Sequence, residues 1–535
     1  MSVNTQIDTF VQDHLPPADQ WPEFIFERPE LQFPQRLNAV ARLLDDAIDD
    51  GHTNRPAVLG VDIHWTYGQL QQQVNRIARV LVEDLGLIPS NRVLLRGANS
   101  PMLAACWLAV LKAGGVAVGT MPLLRAKELG DIIRIAHISH ALCDATLHED
   151  LDLARAQHPT LAHCLLFGVG GELEQRAAAK AVDFQAIDTA ATDPALIAFT
   201  SGTTGVPKGT VHFHRDVMAM CEVFPRHCLK PTQDDVFVGT PPLAFTFGLG
   251  GLLCFPLWAR ASTVLLEKLA PEPLLQAIQD YRATICFTSP TAYRQMAGLV
   301  PKYDLGSLKK CVSAGEALPT DTRDKWREAS GIDIHDGIGG TEVIHIYMAS
   351  SPDDYRPGAV GRMLPGYRGM IVDDDMRPLP LGEVGKLAIK GPTGCRYLSD
   401  PRQTDYVRDG WNLPGDAFHM DADGYFYYHA RIDDMIVSSG YNIASPEVEW
   451  ALLAHPAVAE CGVIGAPDEA RGQIVKAFVV LKPEFRPSDA LASELQNFVK
   501  DTVAPYKYPR AIRFVDALPR TETGKLQRYR LKHMP

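Results

Sequence analysis

Thr200-Ser201-Gly202-Thr203-Thr204-Gly205-Val206-Pro207-Lys208-Gly209 follows directly on an apolar run over 195–199. A buried strand that opens into such a loop is how open α/β sheets place ligand-binding turns at strand ends. The glycines let the backbone come close to an anion, hydroxyls and backbone N–H groups donate to phosphate oxygens, and Lys208 adds positive charge. The spacing is not G-x-x-x-x-G-K-[ST], because Lys208 is followed by Gly209. Thr200, Ser201, Gly202, Thr203, Thr204, Gly205 and Lys208 are therefore read as a phosphate-gripping loop of another kind.

Upstream of this loop the chain alternates strand and helix. Apolar 57–59 precedes Thr66 as a helix cap, and Leu70, Val74, Ile77 and Leu81 then recur at helical spacing. The unit repeats as 93–95, an apolar helix over 102–112 and a strand over 116–118. This predicts the α/β class, with parallel sheets covered by helices. Downstream, Gly315, Gly337, Gly339 and Gly340 again cluster at expected strand ends. After about Asp433 the pattern changes to strands over 459–464 and 474–481, a helix over 488–503 and a basic tail over 520–532. A large N-terminal region, 1–432, and a small C-terminal α+β domain, 433–535, are expected.

The chain has 535 residues, 46% hydrophobic and 22% charged, the balance of an ordinary folded protein of several structural units. Net charge is -12 with no block of Lys or Arg, which argues against nucleic-acid and anionic-membrane partners. The apolar stretches 102–111 and 248–258 are too short to span a bilayer and read as core. The opening MSVNTQIDTF lacks a basic segment and an apolar segment, so a cytoplasmic protein is expected. Ten cysteines without a C-x-x-C pair suit reduced, buried thiols. Composition leaves monomer and homodimer open.

Further motifs follow the phosphate loop in order: Ser313-Ala314-Gly315-Glu316-Ala317, Asp336-Gly337-Ile338-Gly339-Gly340-Thr341-Glu342, Gly415-Asp416, Arg431-Ile432-Asp433-Asp434, and Pro519-Arg520-Thr521-Glu522-Thr523-Gly524-Lys525. Together they resemble the adenylate-forming superfamily of acyl-CoA synthetases, luciferases and nonribosomal-peptide adenylation domains. The resemblance implies an ATP-dependent acid-thiol ligase that uses magnesium and coenzyme A. It implies that Glu342 is a magnesium ligand, with Thr341 beside it at the α-phosphate, and that Asp416 and Arg431 meet the ribose and nucleotide. Gly315, Glu316, Asp336 and Gly337 would wall the adenine. Lys525 would swing in to stabilise charge during adenylate formation. Asp433 would be the hinge about which the small domain rotates, and Gly440 would lie on the thiol tunnel.

The chemistry suits these residue types. A carboxylate attacking the α-phosphorus of ATP brings two anions together, so neutralisation and alignment are the dominant needs. No general base is required, because a carboxylate is already ionised at neutral pH.

Within the superfamily, the strings Asp336 to Ile346 and Ala244 to Gly250 resemble benzoate-type aryl-CoA ligases. Phe10-Val11-Gln12-Asp13-His14-Leu15-Pro16-Pro17 and Ser438-Ser439-Gly440-Tyr441-Asn442-Ile443 look like the 2-aminobenzoate branch. The expected acid is 2-aminobenzoate, with benzoate second. A flat aromatic acid wants apolar walls, here Phe247, Gly339 and Ile346, and His345 would meet an ortho amino or hydroxyl group. Two other readings are weaker. An adenylation enzyme loading a carrier protein would want an aspartate within 244–250, where there is none. A non-catalytic adenylate-binding protein would not need Lys208, Glu342, Asp416 and Lys525 together.

Overall fold

The alternation read upstream of the loop is realised as the strand Pro56–Leu59, the helix Tyr67–Arg79, the strand Arg92–Arg96, the helix Pro101–Lys112 and the strand Val116–Thr120. Thr66 caps the first helix with a reciprocal pair of bonds. Its hydroxyl accepts from the Gln69 N–H at 3.2 Å, and the Gln69 side chain accepts from the Thr66 N–H at 2.9 Å. Leu70, Val74 and Ile77 are buried, as their spacing requires. In the computed structural model, residues 5–200, 206–438, 441–468, 471–503, 505–520 and 526–534 are described.

The chain forms two compact units, one of residues 1–369 with 389–412, the other of 370–388 with 413–535. Residues 433–535 fall wholly in the second, which also takes in 370–388 and 413–432.

Among the described residues two sheets lie wholly within the first unit. One runs His163–Phe167, His140–Asp144, Arg92–Arg96, Val116–Thr120, Pro194–Thr200, Lys208–Phe213, parallel until the last, antiparallel strand. The other runs Arg362–Met363, Ile346–Ser350, Ile334–Gly339, Lys310–Ser313, Ile285–Thr288, Val236–Gly239, Ser262–Val264, Pro56–Leu59, His64–Thr66. Its strands from Ile334–Gly339 to Pro56–Leu59 are parallel. Pro56–Leu59 thus pairs with Ser262–Val264 and not with Arg92–Arg96, although helix Tyr67–Arg79 joins those two strands in sequence. Apolar periodicity sets which face of a strand is buried, and leaves open which sheet receives it.

Helices cover both sheets. Leu129, Ile132, Ile133 and Ala136 of the helix Ala126–Ala136 join Leu94, Val116, Val118 and Ala141 in one core. Leu274, Ile278, Tyr293 and Trp326 close over Val238, Cys286 and Cys311 in the other. Strands Val236–Gly239, Ile285–Thr288, Lys310–Ser313 and Ile334–Gly339 end at one edge of the second sheet, the edge from which the glycine-rich motifs depart.

In the second unit the hairpin Asp416–Met420 with Phe426–Arg431 precedes a sheet of Tyr441–Ala444, Met435–Ser438, Gly472–Leu481 and Val458–Asp468, with Ala511–Phe514 parallel to Gly472–Leu481. Helices Ser445–Leu453 and Asp489–Thr502 pack on it through Val448, Leu452, Leu495 and Val499. This is the α+β domain read from the sequence. All ten cysteines are free, and all but the half-buried Cys164 are buried. Among the described residues no helix is long and apolar enough to cross a membrane.

Candidate active site

The stretch read as a phosphate-gripping loop connects two paired strands. Thr200 stands opposite Lys208 at the open end of the antiparallel ladder Pro194–Thr200 with Lys208–Phe213. Ser201, Gly202, Thr203, Thr204 and Gly205 lie outside the described residues. The Thr200 hydroxyl is buried and has no partner among the described residues.

Lys208 Nζ donates to the Tyr397 hydroxyl at 2.8 Å and stands 4.6 Å from the centre of its ring. That hydroxyl in turn donates to Glu342 Oε1 at 2.7 Å. Burial, reinforced by the Glu342 charge, pushes the Tyr397 phenol up, so it keeps the proton that it donates. Tyr397 is set there by backbone pairing: the Val211 N–H donates to the Arg396 carbonyl and the Leu398 N–H to the Gly209 carbonyl, at 2.9 and 2.8 Å. One phenol therefore joins the loop lysine to the carboxylate of the Asp336–Glu342 motif. Tyr397 belongs to no motif in the sequence, and only this strand pairing reveals it.

Thr341 and Glu342 form a single helical turn, Thr341–Val343, after the strand Ile334–Gly339. The chain then reverses at Ile344, with φ 67° and ψ -39°, and the His345 N–H donates to the Val343 carbonyl at 2.9 Å. This is the rare γ-turn, strained for a β-branched residue. It delivers His345 and Ile346 behind Glu342. His345 Nε2 lies 3.4 Å from the Phe247 carbonyl, and its ring is 5.7 Å from the Phe247 ring and 4.6 Å from that of Phe255. His345 Nδ1 is buried without a partner among the described residues, and burial depresses the imidazole to about 3, so the ring is neutral. A Cβ on Gly339 would stand 2.5 Å from the His345 carbonyl and 2.8 Å from the Ile346 nitrogen, so only glycine fits. Phe247 and His345 thus form one cluster with the Gly339 backbone beside it, whereas the Ile346 side chain lies against Gly337. Phe224 and Phe255 close it from behind and were not singled out in the sequence.

At the same sheet edge Gly315 turns with φ +90°. The Glu316 carboxylate accepts from the Thr291 hydroxyl at 2.7 Å, at the start of the helix Pro290–Ala297. Asp336 is buried beside Gly337. Burial lifts its carboxyl to about 7, against the opposing pull of Arg323 and the Gly337 N–H.

In the second unit Asp416 and Arg431 are cross-strand neighbours, and Arg431 Nη1 donates to Asp416 Oδ1 at 3.0 Å. Gly415 has φ +82°, and a Cβ there would meet Arg431 Nη2 at 2.8 Å. The Asp433 side chain, Gly440 and Lys525 lie outside the described residues. Among the described residues no group of three or more His, Cys, Asp or Glu side chains could hold a metal ion.

The AMP-binding enzyme family model matches residues 45–397, and the AMP-binding enzyme C-terminal domain matches 447–525. The chain is 35% identical over 512 residues to a benzoate–CoA ligase of Thauera aromatica, covering 94% of this chain and 97% of that protein. The solved structure of the anthranilate CoA ligase AuaEII in complex with anthranoyl-AMP superposes with a TM-score of 0.89 at 32% identity, over 95% of this chain and 98% of that one. A benzoate CoA ligase from Burkholderia xenovorans LB400 gives 0.84 at 31% identity, over 93% of this chain and 100% of that one.

Proposed function

The chain belongs to the AMP-binding enzyme family, and on that premise we propose that it joins an aromatic carboxylic acid, 2-aminobenzoate, to coenzyme A at the expense of ATP. In the first step the carboxylate attacks the α-phosphorus, forming the acyl-adenylate and releasing pyrophosphate. In the second the coenzyme A thiolate attacks the acyl carbon and AMP leaves.

The observation that carries this reading is the Tyr397 hydroxyl between Lys208 and Glu342. It gathers a cation and a carboxylate at the mouth of the phosphate loop, where phosphate oxygens and their counter-ion must be met. Lys208 and Thr341 are assigned to phosphate oxygens, together with Thr200, whose hydroxyl has a bond to give. The loop residues Ser201 to Gly205 are assigned to the same task. Gly315, Glu316, Asp336 and Gly337 are assigned to the adenine, Asp416 with Arg431 to the ribose, and Lys525 to the charge that develops on the carboxylate. A lone carboxylate suits magnesium that arrives with the nucleotide, since such sites are completed by phosphate oxygens and water. Glu342 would hold it, and when bound it would screen the phosphate charge. Rotation about Asp433 between the steps, with the thiol approaching past Gly440, completes the proposal.

The acid is argued from His345. A neutral imidazole has one N–H, and the Phe247 carbonyl draws it to Nε2, leaving Nδ1 as an acceptor without a partner among the described residues. An ortho amino group supplies the missing donor, whereas benzoate leaves that nitrogen unpaired. The benzoate reading stands second on the strength of the Thauera aromatica relative. Pyrophosphate and AMP production with a panel of aryl acids, with and without coenzyme A, distinguishes them. The highest kcat/KM belongs to 2-aminobenzoate, and a higher value for benzoate replaces the first reading with the second.

A further inference from the structure

One layer beneath the Lys208–Tyr397–Glu342 contact lies a buried charge cluster that the mechanism does not use. His212, on the strand leaving the phosphate loop, is fully buried, and its Nε2 donates to the Thr341 carbonyl at 2.7 Å. That carbonyl also accepts from the Ile344 N–H at 3.1 Å, so His212 takes its second lone pair. His212 Nδ1 lies 3.7 Å from Asp216 Oδ2. Asp216 is fully buried and accepts from the Phe213 N–H at 3.0 Å. Burial would raise its carboxyl, but Arg396 and His212 hold it down, to about 2. The Arg396 guanidinium, itself buried, donates to Asp216 Oδ2 and lies 3.9 Å from the centre of the Phe213 ring.

The members of this cluster belong to the three segments that carry the site. His212 is on the strand of Lys208, Arg396 precedes Tyr397, and Thr341 precedes Glu342. A buried ion pair adds little net stability, because desolvation offsets the attraction, so its effect here is better sought in placement. The Thr341–Val343 turn needs such support, since it runs into the strained backbone at Ile344.

We propose that His212 is a positioning residue for carboxyl activation: by tying the Thr341 carbonyl to the strand of Lys208, it fixes the Thr341 hydroxyl and the Glu342 carboxylate relative to the phosphate loop. This rests on the reading of Thr341 and Glu342 given above.

The test compares the full-length wild type with His212→Gln and His212→Asn in pyrophosphate release across a magnesium titration. Glutamine carries its amide nitrogen as far out as imidazole Nε2, whereas asparagine stops at the distance of Nδ1. His212→Gln should stay within about threefold of wild type, and His212→Asn should lose about tenfold or more in kcat. The asparagine variant should also need more magnesium for half-maximal rate, with KM for the aryl acid unchanged. Should it not fold, His212→Phe, which keeps the ring volume without the donor, takes its place. Equal behaviour of the two side chains, or a loss that follows the melting temperature with magnesium dependence unchanged, overturns the proposal. A wild type that releases no pyrophosphate with any acid removes the functional reading and this inference with it. An active wild type with equivalent variants removes the inference alone.

Discussion

Tyr397 serves two charges with one hydroxyl, accepting from Lys208 and donating to Glu342. Tyr397→Phe keeps the ring beneath the ammonium and removes both bonds. The kcat/KM for adenylate formation should fall about 10- to 100-fold with little change in melting temperature. A variant as active as wild type would take Tyr397 out of the site. Asp336 makes a different prediction. Its carboxyl has a pKa of about 7 in the fold against an ordinary value of 3.8, so between these the folded chain holds a proton that the unfolded chain has lost. Its contribution to stability is complete at pH below the ordinary value and disappears as pH rises through the folded value. The stability of wild type relative to Asp336→Asn should therefore decline across that window in denaturant titrations. A difference that stays flat with pH would show that the carboxyl titrates normally.

Among the elements, the helix Tyr67–Arg79 was legible to its cap, because Thr66 and the apolar stripe lie within one short run. Thr66→Ala should cost about 1 kcal/mol in urea denaturation and leave turnover unchanged. The strands that lead into the glycine-rich motifs were legible for the same reason, whereas the pairing of Asp416 with Arg431, read separately in the sequence, came only from their strands. Tyr397 and His212 were not legible. Lys208 meets Tyr397 across 189 residues, and His212 meets Thr341 across 129, and no local spacing encodes such contacts. The assignment of Pro56–Leu59 to a sheet failed to show in the sequence on similar grounds, because its partner Ser262–Val264 is remote. Local pattern specifies an element and its buried face, and tertiary packing chooses its neighbour.

For the whole molecule, the proposed division of labour between the two steps predicts a split phenotype. Lys525→Ala should slow pyrophosphate release by orders of magnitude while sparing thioester formation from a supplied acyl-adenylate. Equal loss in both half-reactions contradicts a lysine that acts in the first step only. The cysteines described with the fold bear on the safety of such chemistry. An acyl-adenylate is an electrophile that any thiolate can capture, and the enzyme carries ten thiols of its own. Burial lifts Cys143, Cys228 and Cys286 to about 12 and the half-buried Cys164 to about 11. They stay protonated at neutral pH and are poor nucleophiles. These four thiols are thereby poor competitors for the activated acyl group, which favours its transfer to the thiol of the co-substrate.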